Sequence, residues 1–329
     1  VILDAGVLLT GAYYWYQGFV TPGVIVLVLY YARNISNEVW NFSRMINAMT
    51  QAYADANKFM EHIRLRPDIT DAATARSAGI EKGEVRFANV SFAYPDGADV
   101  FQDFSLHVRP GEKVGIVGPS GSGKSTLVTL LQRHMDVQAG AVLFDGQDIR
   151  GLEQAYLRSK ISLVPQDPSL FHRSLRENIA YGKPEATQVE IEAAARKAQA
   201  HEFILATPEG YATEVGERGI KLSGGQRQRV AIARAILEAD AAPLVIFDEA
   251  TSSLDNKAEK EIQDAIDAAL ADSRRTGIII AHRLSTLRSV DRILVLDRGK
   301  IVEAGTHQEL LIRNGLYAEL YESQLLETA

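Results

Sequence analysis

The stretch Gly118-Pro119-Ser120-Gly121-Ser122-Gly123-Lys124-Ser125 constrains this chain more than any other. It follows the apolar run Val114-Gly115-Ile116-Val117 and leads into Thr126-Leu127-Val128-Thr129-Leu130-Leu131. The octapeptide therefore reads as a glycine-rich turn between a buried strand and the start of a helix. Such a turn can curl until its backbone N–H groups converge, and the helix N-terminus adds a partial positive charge, so the two together cradle phosphate. Lys124 is placed to reach the β- and γ-phosphates of a nucleotide, and the Ser125 hydroxyl to ligate Mg²⁺. A flexible Gly/Ser turn with no ligand is the plain alternative, and the strand and helix on either side argue against it.

Three further strand-like runs lead to polar side chains. Leu244-Val245-Ile246-Phe247 ends on Asp248-Glu249, Ile161-Ser162-Leu163-Val164 leads through Pro165 to Gln166, and Ile278-Ile279-Ile280-Ala281 leads to His282. Unbroken apolar runs suit parallel strands covered on both faces. Open α/β sheets bind their ligands beyond the carboxyl ends of the strands. Asp248 is expected to hold Mg²⁺ through water, and Glu249 to orient or deprotonate an attacking water. A lone histidine or glutamine is usually structural; the case rests on four strand ends meeting along one rim. A second anion site is expected at Ser223-Gly224-Gly225-Gln226, where Ser223 is a natural N-cap and two glycines expose the N–H groups of the helix that follows.

Composition shifts sharply along the chain. Residues 5–32 carry no charge, and both tryptophans and six of the twelve tyrosines fall in the first 53 positions. Gln17-Gly18-Phe19-Val20-Thr21 breaks this run, and Thr21-Pro22 is a good helix start. The expectation is a helix over 1–16, a turn over 17–21 and a long helix over 22–64, with Tyr13–Tyr16 at a membrane–water interface. Ile35, Val39, Phe42, Ile46, Met49, Tyr53, Ala56, Met60 and Ile63 form one apolar stripe on the long helix. At ~1.5 Å per residue that helix is about 60 Å long and outruns a hydrocarbon core about 30 Å thick. Lys58, Arg64 and Arg66 put its far end in the cytoplasm, and the polar Arg33, Asn34, Asn37 and Glu38 suit the lining of a pathway.

After Gly83, strands alternating with helices predict an α/β fold with a mostly parallel sheet. The net charge of −7 argues against a duplex-DNA binder, so no nucleic-acid partner is expected. There is no cysteine, which excludes disulfides and thiolate metal sites.

With these motifs in place, the chain resembles the nucleotide-binding domain of ATP-binding cassette transporters. Gly118–Ser125 is similar to their Walker A, Leu222–Gln226 to their signature sequence, and Leu244–Glu249 to their Walker B and catalytic glutamate. Gln166 matches the Q-loop, Ser252–Asp255 the D-loop, His282 the switch histidine, and Tyr94 the residue that stacks on adenine. Thr213–Gly219 is similar to the X-loop of exporters. The resemblance implies a P-loop cassette over 84–325 with an antiparallel β part and a helical subdomain at about 167–240. A linker over 67–83 and a tail over 326–329 flank it. Residues 1–66 look like the last two transmembrane helices of an exporter half.

The resemblance further implies ATP and Mg²⁺ as ligands, with Lys124, Gln166, Glu249 and His282 in catalysis and Ser125, Gln166 and Asp248 at the metal. Thr126 joins the phosphate contacts. A second copy or a paralogous half would pack head to tail, so that Ser223 and Gly225 close over the phosphate held by the other copy's Lys124, with Asp255 linking the two sites. It also implies a multi-pass protein among membrane lipid, in a bacterial inner membrane or its equivalent, with the cassette cytoplasmic and an unidentified substrate exported. The chain starts inside a helix without methionine and is expected to be a piece of a half-transporter that cannot transport by itself. A soluble ATP-driven clamp on nucleic acid or ribosomes, or a cassette that binds nucleotide without turnover, are the rival readings. The uncharged helix pair and X-loop oppose the first, and intact Lys124, Glu249 and His282 the second.

Overall fold

The first helix, α1 (Ile2–Tyr16), ends where its sequence runs into Gln17-Gly18. Gly18 takes a left-handed φ of 78°, which lets its N–H bond Trp15 O at 2.9 Å and the Phe19 N–H bond Tyr14 O at 3.0 Å. That pair of bonds satisfies the last carbonyls of the helix and reverses the chain. The second helix, α2 (Pro22–Arg64), begins with proline at its first position, where the missing N–H costs nothing. Gly11 lets the two helices approach closely: a Cβ there would lie 3.0 Å from the Ile25 side chain. Arg33 Nε and Asp4 Oδ1 pair at 3.2 Å.

The computed structural model describes residues 2–328 except 65, 66, 96, 98, 239–241, 251–255, 272, 273, 282 and 288. The chain divides into two units, Val1–Asp68 and Ile69–Ala329. In the first, neither helix buries a residue, and the stripe residues Ile35, Val39, Phe42, Met49 and Tyr53 are all exposed. Two spanning helices were expected here. Among the described residues no helix is long and apolar enough to cross a membrane. The reason is physical: α1 has 15 residues where a span needs about 20, and α2 meets Arg33, Asn34, Asn37 and Glu38 soon after its apolar start.

The second unit holds two sheets. One is antiparallel in the order β2 (Asp99–Val108), β1 (Val85–Ala93), β4 (Ala139–Phe144), β5 (Gln147–Asp148). The other runs β10 (Lys300–Gly305), β9 (Arg292–Asp297), β3 (Lys113–Val117), β8 (Thr276–Ile280), β7 (Leu244–Asp248), β6 (Ile161–Val164). All its pairings are parallel except β10 with β9. Strands β3, β8, β7 and β6 are thus neighbours with their carboxyl ends on one edge.

Alternation along these strands explains why the sheet is covered twice. Leu244 and Ile246 face one core with Val114, Ile116, Ile278 and Ile280; Val245 and Phe247 face the other with Val117 and Ile279. The first core joins the sheet to the antiparallel one, to α3 (Lys124–Leu131) and to α4 (Gln154–Ser159). The second joins it to α5 (Leu175–Ile179), α6 (Gln188–Lys197), α7 (His201–Leu205), α8 (Gly224–Glu238), α9 (Asn256–Leu270) and α10 (His307–Arg313). Each large aliphatic side chain so buried contributes roughly 1.5–3 kcal/mol.

Residues 69–83 pack with this unit. Ile80 is buried, Arg76 N–H donates to Gly151 O at 2.9 Å, and the buried Arg133 guanidinium lies 3.7 Å from Asp71. Asp145 receives the N–H groups of Glu81, Lys82 and Glu84 at 2.6–2.7 Å.

Candidate functional site

The turn between β3 and α3 is shaped by positions where a side chain has no room. Gly118 has φ 154°, and a Cβ there would fall 2.0 Å from Leu296 O. Gly123 caps α3 at φ 105°, with the Phe101 ring 2.9 Å from where its Cβ would be. Lys124 then folds back under the turn, its Nζ donating to Gly118 O at 2.8 Å and Pro119 O at 2.9 Å. Burial pushes its ammonium pKa down, and the carboxylates of Glu249 and Asp248 oppose that shift. Ser120, Gly121 and Ser125 are exposed, whereas Ser122 and Thr126 are buried.

One cleft of about 950 Å³ gathers most of the expected residues. It is lined by Tyr94, by 118–121 and 123–126 of the turn, and by Gln166, Glu249 and Ala281 at the ends of β6, β7 and β8. Gln166 Nε2 donates to Glu249 Oε2 at 2.9 Å. Glu249 sits at φ 47°, an uncommon left-handed backbone for a non-glycine residue, with its N–H bonded to Ile280 O at 2.8 Å. Asp248, half-buried beside it, does not line the cleft, but it acts electrostatically on Lys124. Burial and then Glu249 push its carboxyl pKa up, with Lys124 pulling the other way. Tyr94 Oη lies 3.1 Å from Thr126 Oγ1 at the other wall.

The donor set suits a small hard cation arriving with its own phosphate ligands. Ser125, Gln166, Asp248 and Glu249 offer oxygen only, and among the described residues no group of three or more His, Asp or Glu could hold a metal unaided. Mg²⁺ is bound in this manner, through one or two carboxylates plus phosphate oxygens and water.

The signature stretch lies apart from the cleft in this chain. Ser223 and Gln226 form a reciprocal cap on α8: Gln226 N–H donates to Ser223 Oγ at 3.2 Å and Ser223 N–H to Gln226 Oε1 at 2.9 Å. Ser223 and Gly224 face solvent and Gly225 is buried. Asp255 and His282 lie outside the described residues, as do Ser252–Leu254. Other cleft residues carried no motif: Asp99, Val100, Arg298, Gly299, Leu284, Leu320, Ser323 and Gln324. Arg298-Gly299 was readable as a tight hairpin turn between two apolar runs. Gln324 had no comparable signal.

A family profile described as ABC transporter matches residues 101–252, which include the phosphate turn, Gln166, the signature stretch and Asp248-Glu249. The chain carries an ABC transporter domain. Its relatives are ABC exporters. It is 44% identical over 323 residues to the ATP-dependent lipid A-core flippase of Syntrophus aciditrophicus, covering 98% of this chain and 53% of that one. It is 42% identical over 328 residues to the ATM1-type heavy metal exporter of Novosphingobium aromaticivorans, covering 100% and 53%. A solved bacterial Atm1-family ABC exporter with ATP bound matches with a TM-score of 0.76 at 41% identity, over 98% of this chain and 56% of that one. The chain thus spans about half the length of these ABC exporters.

Proposed function

We propose that this chain binds and hydrolyses ATP at the cleft, and that the energy drives export of a substrate across a membrane when two cassettes pair. The observation that carries the reading is the meeting of Lys124, Gln166 and Glu249 in one cleft at the carboxyl edge of four adjacent parallel strands. Backbone N–H groups of 118–126 and the Lys124 ammonium receive the phosphates. Tyr94 stacks on the base. Glu249 orients the attacking water and takes its proton, while Gln166 holds the carboxylate in place until nucleotide arrives. Ser125, Gln166 and Asp248 would hold Mg²⁺, which would neutralise phosphate charge. This division of labour is mostly positioning and electrostatic stabilisation.

Solvent exposure of Ser223 and Gly224 at the N-terminus of α8 supports a site completed by a second copy, because a helix N-terminus favours a phosphate. In the closed pair Asp255 links the two sites and His282 stabilises the γ-phosphate. The exposed apolar surface of α1 and α2 supports membrane insertion beside further helices, with the cassette on the cytoplasmic side. The arm after Gln166 is tied to the X-loop: Leu175 N–H donates to Thr213 O at 3.0 Å and Val215 N–H to Arg173 O at 3.2 Å. Closure at Gln166 is therefore passed on along Phe171 and the X-loop. Two relatives of similar identity, 44% and 42%, carry names with different cargoes, so overall likeness does not select a substrate.

Phosphate release at saturating Mg-ATP tests the reading. Turnover by the unmodified chain that is lost in Glu249→Gln supports it. Release that persists unchanged in Glu249→Gln, or a chain that neither binds nor hydrolyses ATP, overturns it.

A further inference from the structure

The last helix, α11 (Leu316–Thr328), reaches the nucleotide cleft, where Leu320, Ser323 and Gln324 line it together with Lys124 and Glu249. Gln324 Oε1 accepts the main-chain N–H of Leu284 at 2.9 Å. Leu284 is 2% exposed and opens the short 3₁₀ turn Leu284–Leu287. The first N–H of such a turn has no acceptor within it, so a buried one needs a partner from elsewhere. Gln324 supplies that acceptor from 40 positions further along the chain.

The same segment is gripped from α9. Glu259 forms an ion pair with Arg283 and accepts from Ser285 Oγ at 2.8 Å, Gln263 Nε2 donates to Thr286 O at 3.4 Å, and Asp267 accepts from Ser289 Oγ at 2.9 Å. Glu259, Gln263 and Asp267 recur every fourth residue and so share one face of the helix. The segment leaves the end of β8 at Ala281, itself part of the cleft wall.

We propose that Gln324 is a positioning residue of the nucleotide site: its carboxamide holds the Leu284 turn, and with it the cleft wall at Ala281 and Leu284, in register with the phosphate turn. The inference rests on reading the cleft as an ATPase site. It gives the C-terminal helix, which no sequence motif reaches, a part in turnover.

Gln324→Leu keeps the side chain's bulk but leaves the Leu284 N–H unpaired, whereas Gln324→Glu keeps an acceptor oxygen. In the full chain, Gln324→Leu is expected to lower kcat about tenfold with KM for Mg-ATP within about twofold, and to speed hydrogen exchange at the Leu284 amide; Gln324→Glu restores both. A Gln324→Leu kcat within about twofold of the unmodified value overturns the proposal, as does a Gln324→Glu variant as slow as Gln324→Leu. If Gln324→Leu does not fold, Gln324→Met makes the same comparison. If the unmodified chain releases no phosphate, it is the ATPase reading that fails. The exchange measurement then still tests the grip, and an unchanged Leu284 amide in Gln324→Leu sinks it.

Discussion

Gln166 and Glu249, 83 positions apart, are joined by a 2.9 Å hydrogen bond between the ends of β6 and β7. The carboxylate proposed to take a proton from water is thus tied to the end of the neighbouring strand. General-base catalysis contributes about 10²–10⁴-fold, so Glu249→Gln should lower phosphate release by at least about a hundredfold. The Kd for Mg-ATP should stay within a few-fold, since Glu249 does not hold the phosphates. Gln166→Ala keeps the proposed base but removes this hydrogen bond, and a smaller fall, about tenfold, is expected in the same assay.

Lys124 is a buried cation whose two carbonyl partners, Gly118 O and Pro119 O, belong to the turn it serves. In the proposed site, removing it takes away the charge that the phosphates would meet. Hydrogen bonds to charged groups are worth about 1.5–3 kcal/mol, so Lys124→Ala should weaken ATP by at least about tenfold in titration calorimetry.

Asp248 gives a pH signature. Its carboxyl pKa is pushed up from 3.8 by burial and by Glu249. A folded pKa above the unfolded one means a contribution to stability that is full below the unfolded value and lost as pH rises through the folded value. Without nucleotide, Asp248→Asn should therefore melt higher than the unmodified chain near neutral pH. The gap should close as pH falls below 3.8. Melting curves over a pH series check this, and excess Mg-ATP should reverse the order by rewarding the intact carboxylate.

Tyr94 separates stacking from hydrogen bonding. Base–aromatic stacking is worth about 1–3 kcal/mol per base in nucleic-acid complexes, and Tyr94→Ala should lose about that much in ATP affinity. Tyr94→Phe gives up only the 3.1 Å contact with Thr126 and should bind within about threefold of the unmodified chain in the same titration.

The part of the site that was legible in the sequence is the part built from strand ends. Runs such as Leu244–Phe247 are apolar throughout because the sheet is covered on both faces, and a polar residue directly after such a run has to lie at an edge. The glycines of 118–123 were legible because their backbone shape tolerates nothing larger at Gly118 and Gly123. Strand order was not readable, since β3 pairs with β8 and β9 from far along the chain. Nor was Gln324, whose role depends on one long-range bond. The helices of the first unit showed the opposite limit. Their apolar residues were legible, but a stripe of exposed side chains names its cover only when the neighbouring helices are known.

The central claim is that this cleft is half of an ATP site and that Ser223 of a second copy closes it. The chain holds no cysteine, so single cysteines can be placed cleanly. Copies carrying Ser120→Cys with Glu249→Gln are mixed with copies carrying Ser223→Cys with Glu249→Gln, and disulfide cross-linking is followed with and without Mg-ATP. The account predicts a cross-linked dimer in the mixture when Mg-ATP is bound, and little without nucleotide. No cross-link at saturating bound Mg-ATP, or the same yield in its absence, would contradict it.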